Sequence, residues 1–471
     1  MLKMKYMKFI AVGIIALISL SCSDFLDKNP LDQISSETFW QNEQEAKMAL
    51  TGVYSRLRAF TFTHKDTEFD IMAGDVCGNQ GHSIINIAQG NIEPNSGGIV
   101  SYIYSNCYAG IGSCNFFLEN IEKTPISTET LNVYKGEVCF LRALFYFTLT
   151  EHYGGVPLYT SPVTIEEAKV KQSTKEEVVN QILSDLDFAI ANLPDKTYSS
   201  GHAVKGSAMT LKAKVLLHNQ RWQESAEIAD QIIRDGKFSL YNDFRNLFLS
   251  SGQKNNPEII FSTRYLNPDI YSDLDIRWSW HAVVEPRQEL VDAYECADGK
   301  PIDISPLYDP SNWRLNRDPR LLMTIKAFED SVYNSAGQKV GFNYNAVSAT
   351  GYSPVKYCNW DALPINYSTQ SDQDWILLRY ADVLLMYAEA RNEVSGPDAS
   401  VYDAINKVRD RVNMPQLPTG LSKDEMRKRI RNERRVEFAL EGIRWGDIKR
   451  WKTAETYIPT LVDPGGKRRQ F

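Results

Sequence analysis

Residues 378–390 read LRYADVLLMYAEA, and this stretch decides the fold class. The apolar side chains around it recur at the spacing of an α-helix that buries one face: Leu377, Tyr380, Ala381, Leu384, Leu385 and Ala388. A second helical pattern follows over 400–412, with Ile405, Val408 and Val412 on its inner face. The two patterns predict a short antiparallel helix pair with small alanines at the contact.

The same pattern recurs towards the N-terminus. Residues 206–218 and 222–235 predict a second helix pair joined by a short polar turn, and apolar stripes predict further helices over 138–150, 176–193 and 423–443. Such pairs resemble tetratricopeptide units, although their irregular spacing argues against a regular solenoid. We therefore expect a mainly α fold built on a helical scaffold, and scaffolds of this kind usually bind rather than catalyse.

The segment between the two pairs differs in composition. Residues 239–375 are rich in Pro, Gly, Asp, Asn and aromatic residues, with short apolar runs such as Glu258–Phe261. They predict long loops with a few short strands, and a loop region this long in a compact protein is usually functional. We expect a single domain over 22–471, with a helical part over about 31–238, the loop-rich part over about 239–375 and a C-terminal helical part over about 376–452.

The N-terminus has the pattern of an export signal. Three lysines precede an apolar run over residues 9–20, which is shorter than the roughly 20 residues that span a bilayer. Cys22 follows directly in the sequence SLSC, which is similar to a bacterial lipoprotein cleavage site. We predict a signal peptide over 1–21 and a lipid on Cys22. A plain secretory signal with a coincidental Cys is the alternative.

The charge of the chain excludes two kinds of partner. With 52 Lys and Arg against 59 Asp and Glu, the net charge is −7, so a general nucleic-acid binder, which needs a net basic face, is excluded. Removal of residues 1–21 takes away three lysines and no acid, so the net charge goes from −7 to −10. A polybasic membrane patch is therefore excluded, and we expect the lipid on Cys22 to provide the attachment.

The sequence contains no strong catalytic or metal motif. The His residues form no HExxH pair, and neither a GxSxG elbow nor a GxxxxGK[ST] phosphate loop occurs. Any two carboxylates could form a glycosidase pair, but the sequence does not select them, so we expect no enzyme activity and no cofactor. Asp269, Asp273 and Asp275 are a candidate calcium site, although their spacing is not that of an EF-hand.

Two further residue classes have structural interpretations. Six cysteines follow Cys22 without a CxxC motif, and Cys107 and Cys114 lie about 10 Å apart along a predicted helix, too far for a disulfide. We expect free, buried thiols. The basic run over 427–450 is interleaved with acids, and Glu433, Glu437 and Glu441 follow at i, i+4 and i+8. We therefore predict a helix with ion pairs along it, and a polyanion site is the alternative.

Aromatic side chains in the loop-rich part are the candidate ligand contacts. These residues are Tyr271, Trp278, Trp280 and Trp313. Trp278-Ser-Trp280 places two indoles on one side if the segment is extended. Such rings stack on the apolar faces of sugar rings, while polar side chains bond the hydroxyls. From the polar loop over 73–98 we add Asn79, Gln80 and His82 as polar contacts. Packing of the loops onto the scaffold is the alternative for the aromatic rings.

Four segments together resemble a known family. They are SCSDFLD (21–27) with TFW (38–40), RALFYFTL (142–149) with YGGVP (153–157), LRYADVLLMYAEA (378–390) with INKVR (405–409), and IRNERRVEFALEG (430–442) with RWGD (444–447). In this order they are similar to the SusD/RagB family of outer-membrane nutrient-binding lipoproteins. Members of that family usually continue into a Trp-Pro-Ile-Pro-like segment and an Asn-Pro-rich tail, whereas this chain ends at residues 464–471 without them, so we expect a short tail.

The resemblance implies a fold, a location and a function. It implies a SusD-like fold with eight tetratricopeptide-type helices cradling a loop-rich half. It also implies a lipid-anchored protein on the outer membrane that faces the cell exterior. The implied partner is a TonB-dependent, SusC-like transporter, to which the protein delivers oligosaccharides, or peptides in some members. The four motifs belong to the scaffold, so Arg142, Glu433, Arg435 and Arg444 are expected in structural ion pairs and caps.

These observations leave four hypotheses. The first is a surface glycan-binding lipoprotein without catalytic activity. A peptide-binding member of the same family is the second, and a surface glycoside hydrolase is the third. A periplasmic assembly scaffold is the fourth.

Overall fold

A computed structural model of the chain describes residues 39–78, 83–88, 90, 92–93, 96–344 and 347–461. The signal peptide and Cys22 predicted above lie outside these residues. The helices are α1 (Glu43–Tyr54), α2 (Asp70–Ala73), α3 (Ser83–Ala88), α4 (Ile99–Asn120), α5 (Thr128–Tyr153), α6 (Lys175–Asn192), α7 (Lys205–His218), α8 (Trp222–Asp235), α9 (Ser250–Gln253), α10 (Gln288–Ala293), α11 (Arg320–Thr324), α12 (Tyr380–Ser395), α13 (Ala399–Asp410), α14 (Lys423–Glu437), α15 (Arg444–Arg450) and α16 (Ala454–Tyr457). The strands are β1 (Val76–Gly78), β2 (Ile259–Thr263), β3 (Val284–Pro286), β4 (Ile325–Ala327), β5 (Val332–Tyr333), β6 (Lys339–Val340), β7 (Tyr352–Pro354) and β8 (Trp375–Arg379).

Local sequence determines where the long helices begin. The side chain of Ser127 accepts a hydrogen bond from the backbone N–H of Thr130 at the start of α5. Thr174 and Ser422 form capping boxes with the glutamates three residues later, at the starts of α6 and α14. Each cap satisfies backbone donors that a first helical turn leaves without a partner.

The long helices form one continuous array. In chain order, α1, α4, α5, α6, α7, α8, α12 and α13 each pack on the next, and α14 packs on α12. Close approach between α4 and α5 depends on Gly110, because a Cβ there would lie 2.7 Å from the ring of Phe145. The array agrees with the mainly α fold and helix pairs predicted from the sequence, and the pair 206–235 is confirmed as α7 and α8.

Two predicted helices have different bounds in the structure. Leu377 lies in strand β8 and not in a helix, because β8 pairs antiparallel with β2 before α12 begins at Tyr380. The helix predicted over 423–443 ends at Glu437, and Leu440 and Gly442 then take positive φ angles of 63° and 73°. The chain turns there, so that α15 starts in a new direction.

The loop-rich part has few strands, as the sequence predicts. Four two-stranded antiparallel sheets occur in the described residues, formed by β1–β3, β2–β8, β4–β7 and β5–β6. The fully buried β2 and its partner β8 join this part to the helical array. A second apolar cluster, which includes Leu290, Tyr294 and Leu321, packs against Val436 and Ala439 at the end of α14 and beyond it.

Buried ion pairs hold the C-terminal motifs to the rest of the chain. Arg379 contacts Glu258, Glu437 and Glu441, and all four side chains are at most 3% exposed. The predicted salt-bridged helix is present as α14, in which Arg427 binds Asp424 one turn away. The three glutamates differ from the expectation, because Glu441 lies beyond the end of α14 and Glu433 and Glu437 bind cations from other elements. The buried glutamates of α14 therefore connect the helical array to the loop-rich part.

The motif residues expected in ion pairs are found in them. Arg142 binds Asp185 at 2.6 Å and also donates to the side-chain oxygen of Asn115. The other contacts are Glu433 with Arg320 and Arg409, and both Arg435 and Arg444 with Asp75. The expected ion pairs are therefore present.

The six cysteines in the described residues are free, as predicted. Cys107, Cys114, Cys139, Cys296 and Cys358 are buried, and Cys77 is half-buried. Burial raises the pKa of the Cys139 thiol to about 12, so it is not reactive at neutral pH. Within the part of the chain that the structure describes, no helix combines the length and apolar character that a bilayer span needs.

Candidate functional site

An open cleft lies where the loop-rich part meets the start of the helical array. Its volume is about 750 Å³. Three segments that are distant in the sequence form its walls, namely residues 58–68, the first turns of α4 over 98–106, and the loop over 265–277. A cleft of this size accommodates a small-molecule ligand or part of a chain-like one.

Two exposed tyrosines give the cleft an aromatic surface. Tyr102, on the first turn of α4, is 62% exposed, and Tyr271 is 52% exposed. Backbone pairing of Ser272 with Ser371 positions Tyr271 at the rim. Tyr265 also lines the cleft but is partly buried. Phenol rings can stack on an apolar ligand face while their hydroxyls form hydrogen bonds.

The charged groups at the cleft floor bind one another. Nε2 of His64 lies 3.1 Å from the Asp273 carboxylate, and Nζ of Lys65 lies 3.5 Å from it. Arg277 donates to Glu68 beside them. Burial raises the pKa of Asp273, but the hydrogen bond with His64 and the nearby cations outweigh burial and lower it. The carboxylate is therefore ionised at neutral pH and is unsuited to donate a proton.

Other polar groups remain open to a ligand. Arg58 is exposed at the cleft and Asn106 is half-buried there. Neither side chain has a hydrogen bond or ion pair within the described ranges of the chain. Together with the tyrosines they combine ring faces with donors and acceptors, which is the chemistry that recognises a polyhydroxylated ligand.

Of the four aromatic candidates from the sequence, the structure places only Tyr271 in this cleft. Trp278 is 1% exposed and contacts Trp375 and Tyr357 edge to face, with ring centroids 6.4 and 6.3 Å away. Residues Ile276–Trp280 form a π-helical turn, so the expectation of an extended segment with two indoles on one side is wrong. No face of the Trp278 ring is open to a ligand, and this residue packs the core instead.

The other two tryptophans are half-buried elsewhere. Trp280 stacks on His281 at 5.0 Å and meets the 74% exposed Tyr367 edge to face at 4.4 Å. Trp313 packs edge to face on Tyr352 at 5.2 Å, with the Arg314 guanidinium 5.1 Å from its ring. Trp280 thus belongs to a second aromatic surface, whereas Trp313 covers the second apolar cluster.

The remaining candidates fall in two groups. Asn79, Gln80 and His82 lie outside the described residues. Asp275 accepts hydrogen bonds from Ser371 and Gln373, while Asp273 binds His64 and Lys65. The described residues contain no cluster of three His, Cys, Asp or Glu side chains placed to hold a metal ion. The three aspartates therefore do not form the calcium site considered from the sequence.

Sequence reasoning missed Tyr102, Tyr265, Arg58 and Asn106 as cleft residues. Tyr102 and Asn106 lie on a helix whose inner face is formed by Ile99, Ile103 and Cys107. An aromatic residue on the outward face of that amphipathic pattern was the available signal. Assembly of the cleft from three distant segments left no local motif to detect.

Two family models match the two parts of the chain. One, described as the SusD family, matches residues 253–470, and one described as starch-binding associating with outer membrane matches residues 24–217. The chain belongs to the SusD family. This agrees with the family resemblance of the four sequence motifs.

Relatives of this SusD family member cover almost the whole chain. SusD-like protein P2 of Formosa agariphila is 27% identical over 97% of this chain and 93% of the relative. SusD-like protein P25 of the same organism is 28% identical over 95% of this chain and 90% of the relative. A crystal structure described as a SusD-like carbohydrate binding protein from Bacteroides fragilis superposes with a TM-score of 0.81 at 27% identity, over 92% of this chain and 94% of that one. These similarities confirm the mainly α, SusD-like fold.

Proposed function

We propose that this protein binds oligosaccharides in the cleft that contains Tyr102 and Tyr271 and delivers them to a TonB-dependent, SusC-like outer-membrane transporter. The observation that carries the proposal is the pairing of two exposed rings with the open polar groups of Arg58 and Asn106. Sugar rings present apolar faces and a rim of hydroxyls, and this cleft offers partners for both. The second aromatic surface, at Trp280 and Tyr367, is proposed as a further contact for a longer chain.

The relatives support this proposal in two ways. The solved Bacteroides fragilis relative is described as carbohydrate binding, and the family model over 24–217 is described as starch-binding and associated with the outer membrane. We propose the same association here, with a lipid on Cys22 as the anchor and the cleft facing the cell exterior. Asn79, Gln80 and His82, which follow β1 in the sequence, remain proposed polar contacts.

Binding without catalysis fits the chemistry of the cleft. A glycoside hydrolase needs a carboxylic acid with a raised pKa beside a second carboxylate. Asp273 has a lowered pKa, and Glu68 binds Arg277. Neither carboxyl group is arranged as a general acid.

The test is calorimetric titration of the purified protein with a panel of neutral oligosaccharides. Tyr271→Ala and Tyr102→Ala are each expected to weaken binding by about fivefold, or about 1 kcal/mol, because each removes one stacking ring. Tyr333→Ala is the matched control, since Tyr333 is also 62% exposed but lies on β5, outside the cleft. Unchanged affinity in both cleft variants would refute the assignment of the site.

Two further measurements separate the alternatives. Binding of peptides and not of glycans would favour the peptide-binding hypothesis, and new reducing ends after incubation with glycans would favour a hydrolase. Protease treatment of whole cells tests exposure on the surface, and Cys22→Ala is expected to release the protein from the membrane fraction. Co-purification of a TonB-dependent barrel with the wild-type protein tests the transporter as a partner.

A further inference from the structure

A second cleft, distinct from the aromatic one, lies on the face formed by α14, α15 and α16. Its volume is about 440 Å³, and its charged lining residues are all cations: Lys428, Arg431, Arg435 and Arg444. Among the residues that the structure describes, no acidic side chain lines it. The protein as a whole has a net charge of −7, so a concentration of four cations around one cleft is opposite to its overall charge.

The cations of this cleft have too few carboxylate partners. Nε of Arg435 lies 2.9 Å from Oδ1 of Asp75, and Nε of Arg444 lies 3.5 Å from Oδ2 of the same residue. One carboxylate therefore serves two guanidinium groups. Lys428 and Arg431 form no ion pair or hydrogen bond with the described residues, so the four cations share one directly bound carboxylate, that of Asp75.

Three of the nearby acids are bound to other partners. Glu389 binds Arg450 at 2.5 Å and Glu393 binds Arg427 at 2.5 Å. Glu289 lies 3.2 Å from Arg287. None of these three carboxylates is free to neutralise the cleft.

Neighbouring arginines on the same helix show the contrast. Arg427, Arg429 and Arg434 each bind a carboxylate directly, at 2.5, 2.6 and 2.8 Å. The sequence therefore supplies partners for arginines that serve the scaffold. Arg431 lies one helical turn from Arg427 and Arg434 but binds none of the described carboxylates. It therefore does not belong to the structural ion pairs of α14.

The aromatic residues of the cleft favour an anion over an uncharged sugar. The Arg431 guanidinium lies 4.7 Å from the Trp451 ring centroid, and those of Arg444 and Arg450 lie 5.8 and 4.9 Å from it. These guanidinium groups lie next to the Trp451 ring, where a sugar would have to stack. Burial lowers the pKa of Arg431 and of Arg444, as expected for guanidinium groups that lack sufficient countercharge.

We propose that this cleft binds an oxyanion group, namely a sulfate, phosphate or carboxylate, between the side chains of Lys428, Arg431 and Arg444. Guanidinium donors form forked hydrogen bonds with such groups, whereas the hydroxyls of Thr453, Thr456 and Thr460 donate to backbone carbonyls, so the cations are the donors for the anion. The group has two sources, a free inorganic anion or the acidic substituent of a glycan. This inference does not depend on the proposed function, because no residue lines both clefts.

The test is calorimetry of the full protein at constant ionic strength, with sodium sulfate, inorganic phosphate and glucuronate each replacing chloride. Constant ionic strength removes general screening effects. Saturable binding is expected, weakened about tenfold by the combined change Arg431→Gln and Arg444→Gln, since charge-assisted hydrogen bonds are lost. The matched control changes Lys171→Gln and Arg234→Gln together, which removes the same charge from exposed positions outside the cleft.

A second variant keeps the test decisive if the double change impairs folding. Lys428 is exposed, so Lys428→Gln leaves packing intact and is expected to weaken binding by about threefold. Equal affinity for inorganic sulfate and a sulfated oligosaccharide identifies a free anion as the ligand, whereas a preference for the acidic oligosaccharide over its neutral analogue and over sulfate identifies a glycan substituent. Heats that do not saturate, or affinities that are the same in Lys428→Gln and in the control, would overturn the proposal.

Discussion

Replacement of Arg379 by Ala tests the buried ion-pair network most directly. The guanidinium is 2% exposed and donates to Glu258 at 2.8 Å, to Glu437 at 2.6 Å and to Glu441 at 2.7 Å. It lies at the end of β8, where the strand leads into α12. Loss of this guanidinium would leave three buried, desolvated carboxylates without one of their cationic partners.

The magnitude follows from what remains around those carboxylates. Removal of one partner from a buried pair costs about 3–5 kcal/mol, because the remaining charge is uncompensated. Here Arg411 still binds Glu258 and Glu437, and Lys356 still binds Glu441 at 2.6 Å. Each acid therefore keeps at least one cation, and Glu437 keeps both Arg411 and Arg320. We expect a loss near the lower limit, about 3 kcal/mol.

Denaturant unfolding followed by tryptophan fluorescence measures this loss, since Trp278 and Trp375 are buried. Arg234→Ala is the control, because its pair with Asp230 is exposed and is expected to contribute less than about 1 kcal/mol. The loss for Arg379→Ala should persist in 1 M salt, because buried pairs are weakly screened. A loss as small as that of Arg234→Ala, or one that salt abolishes, would refute the reasoning.

Three further predictions concern stability and the assignment of tryptophans. Burial raises the pKa of Asp382, but Lys214 and Arg434 outweigh burial and lower the pKa from 3.8 to about 2. The contribution of Asp382 to the free energy of unfolding is therefore complete above pH 3.8 and is lost as the pH falls towards 2. The difference of about 2 kcal/mol in this free energy between wild type and Asp382→Asn should shrink over that window in acid-dependent unfolding. The exposed Asp403→Asn serves as control, and a difference that does not change with pH would contradict this. In α4, Gly110→Ala should lower the free energy of unfolding by about 1–3 kcal/mol, because the new Cβ would collide with Phe145. Gly112→Ala, with nothing within 4 Å, should raise it by about 0.5–1 kcal/mol. Equal effects of the two changes in thermal unfolding would be inconsistent with the packing. Trp278→Ala should destabilise the protein by about 3–5 kcal/mol, because the residue is in the core. Trp280→Ala should cost less stability and should weaken binding of long oligosaccharides. The reverse order in unfolding and titration would make Trp280 the core residue and Trp278 the ligand contact.

Helix periodicity predicted most of the scaffold because each helix buries one regular face. Val179, Ile182 and Leu186 are buried in α6, as their spacing indicates. Periodicity failed at Leu377, where an apolar run that fits a helix belongs to β8, since pairing with β2 decides its conformation. It also failed beyond Glu437, because the turn at Leu440 depends on backbone conformation and not on an apolar stripe.

The site was less predictable because exposure cannot be read from residue type. Trp278 and Tyr271 lie in the same loop-rich segment, yet the indole is buried between Trp375 and Tyr357 and the phenol is exposed at the cleft. Burial depends on contacts with residues about 80 to 100 positions away, which no local pattern encodes. Tyr102 was missed for the complementary reason, since it lies on a helix that looked structural.

The proposed ligand contacts are separate from the buried residues that stabilise the fold. The rings of Tyr102 and Tyr271 and the side chain of Arg58 are exposed, and none of them belongs to a buried apolar cluster. Substitution at these positions removes little apolar burial, so its cost to stability is small compared with changes at Arg379 or Trp278. Because the four sequence motifs supply the helical array and buried ion pairs, they can stay constant while the cleft changes. Family membership therefore specifies the scaffold, and if the proposed cleft is the binding site, we expect the identity of the ligand to depend on a few exposed residues outside the motifs.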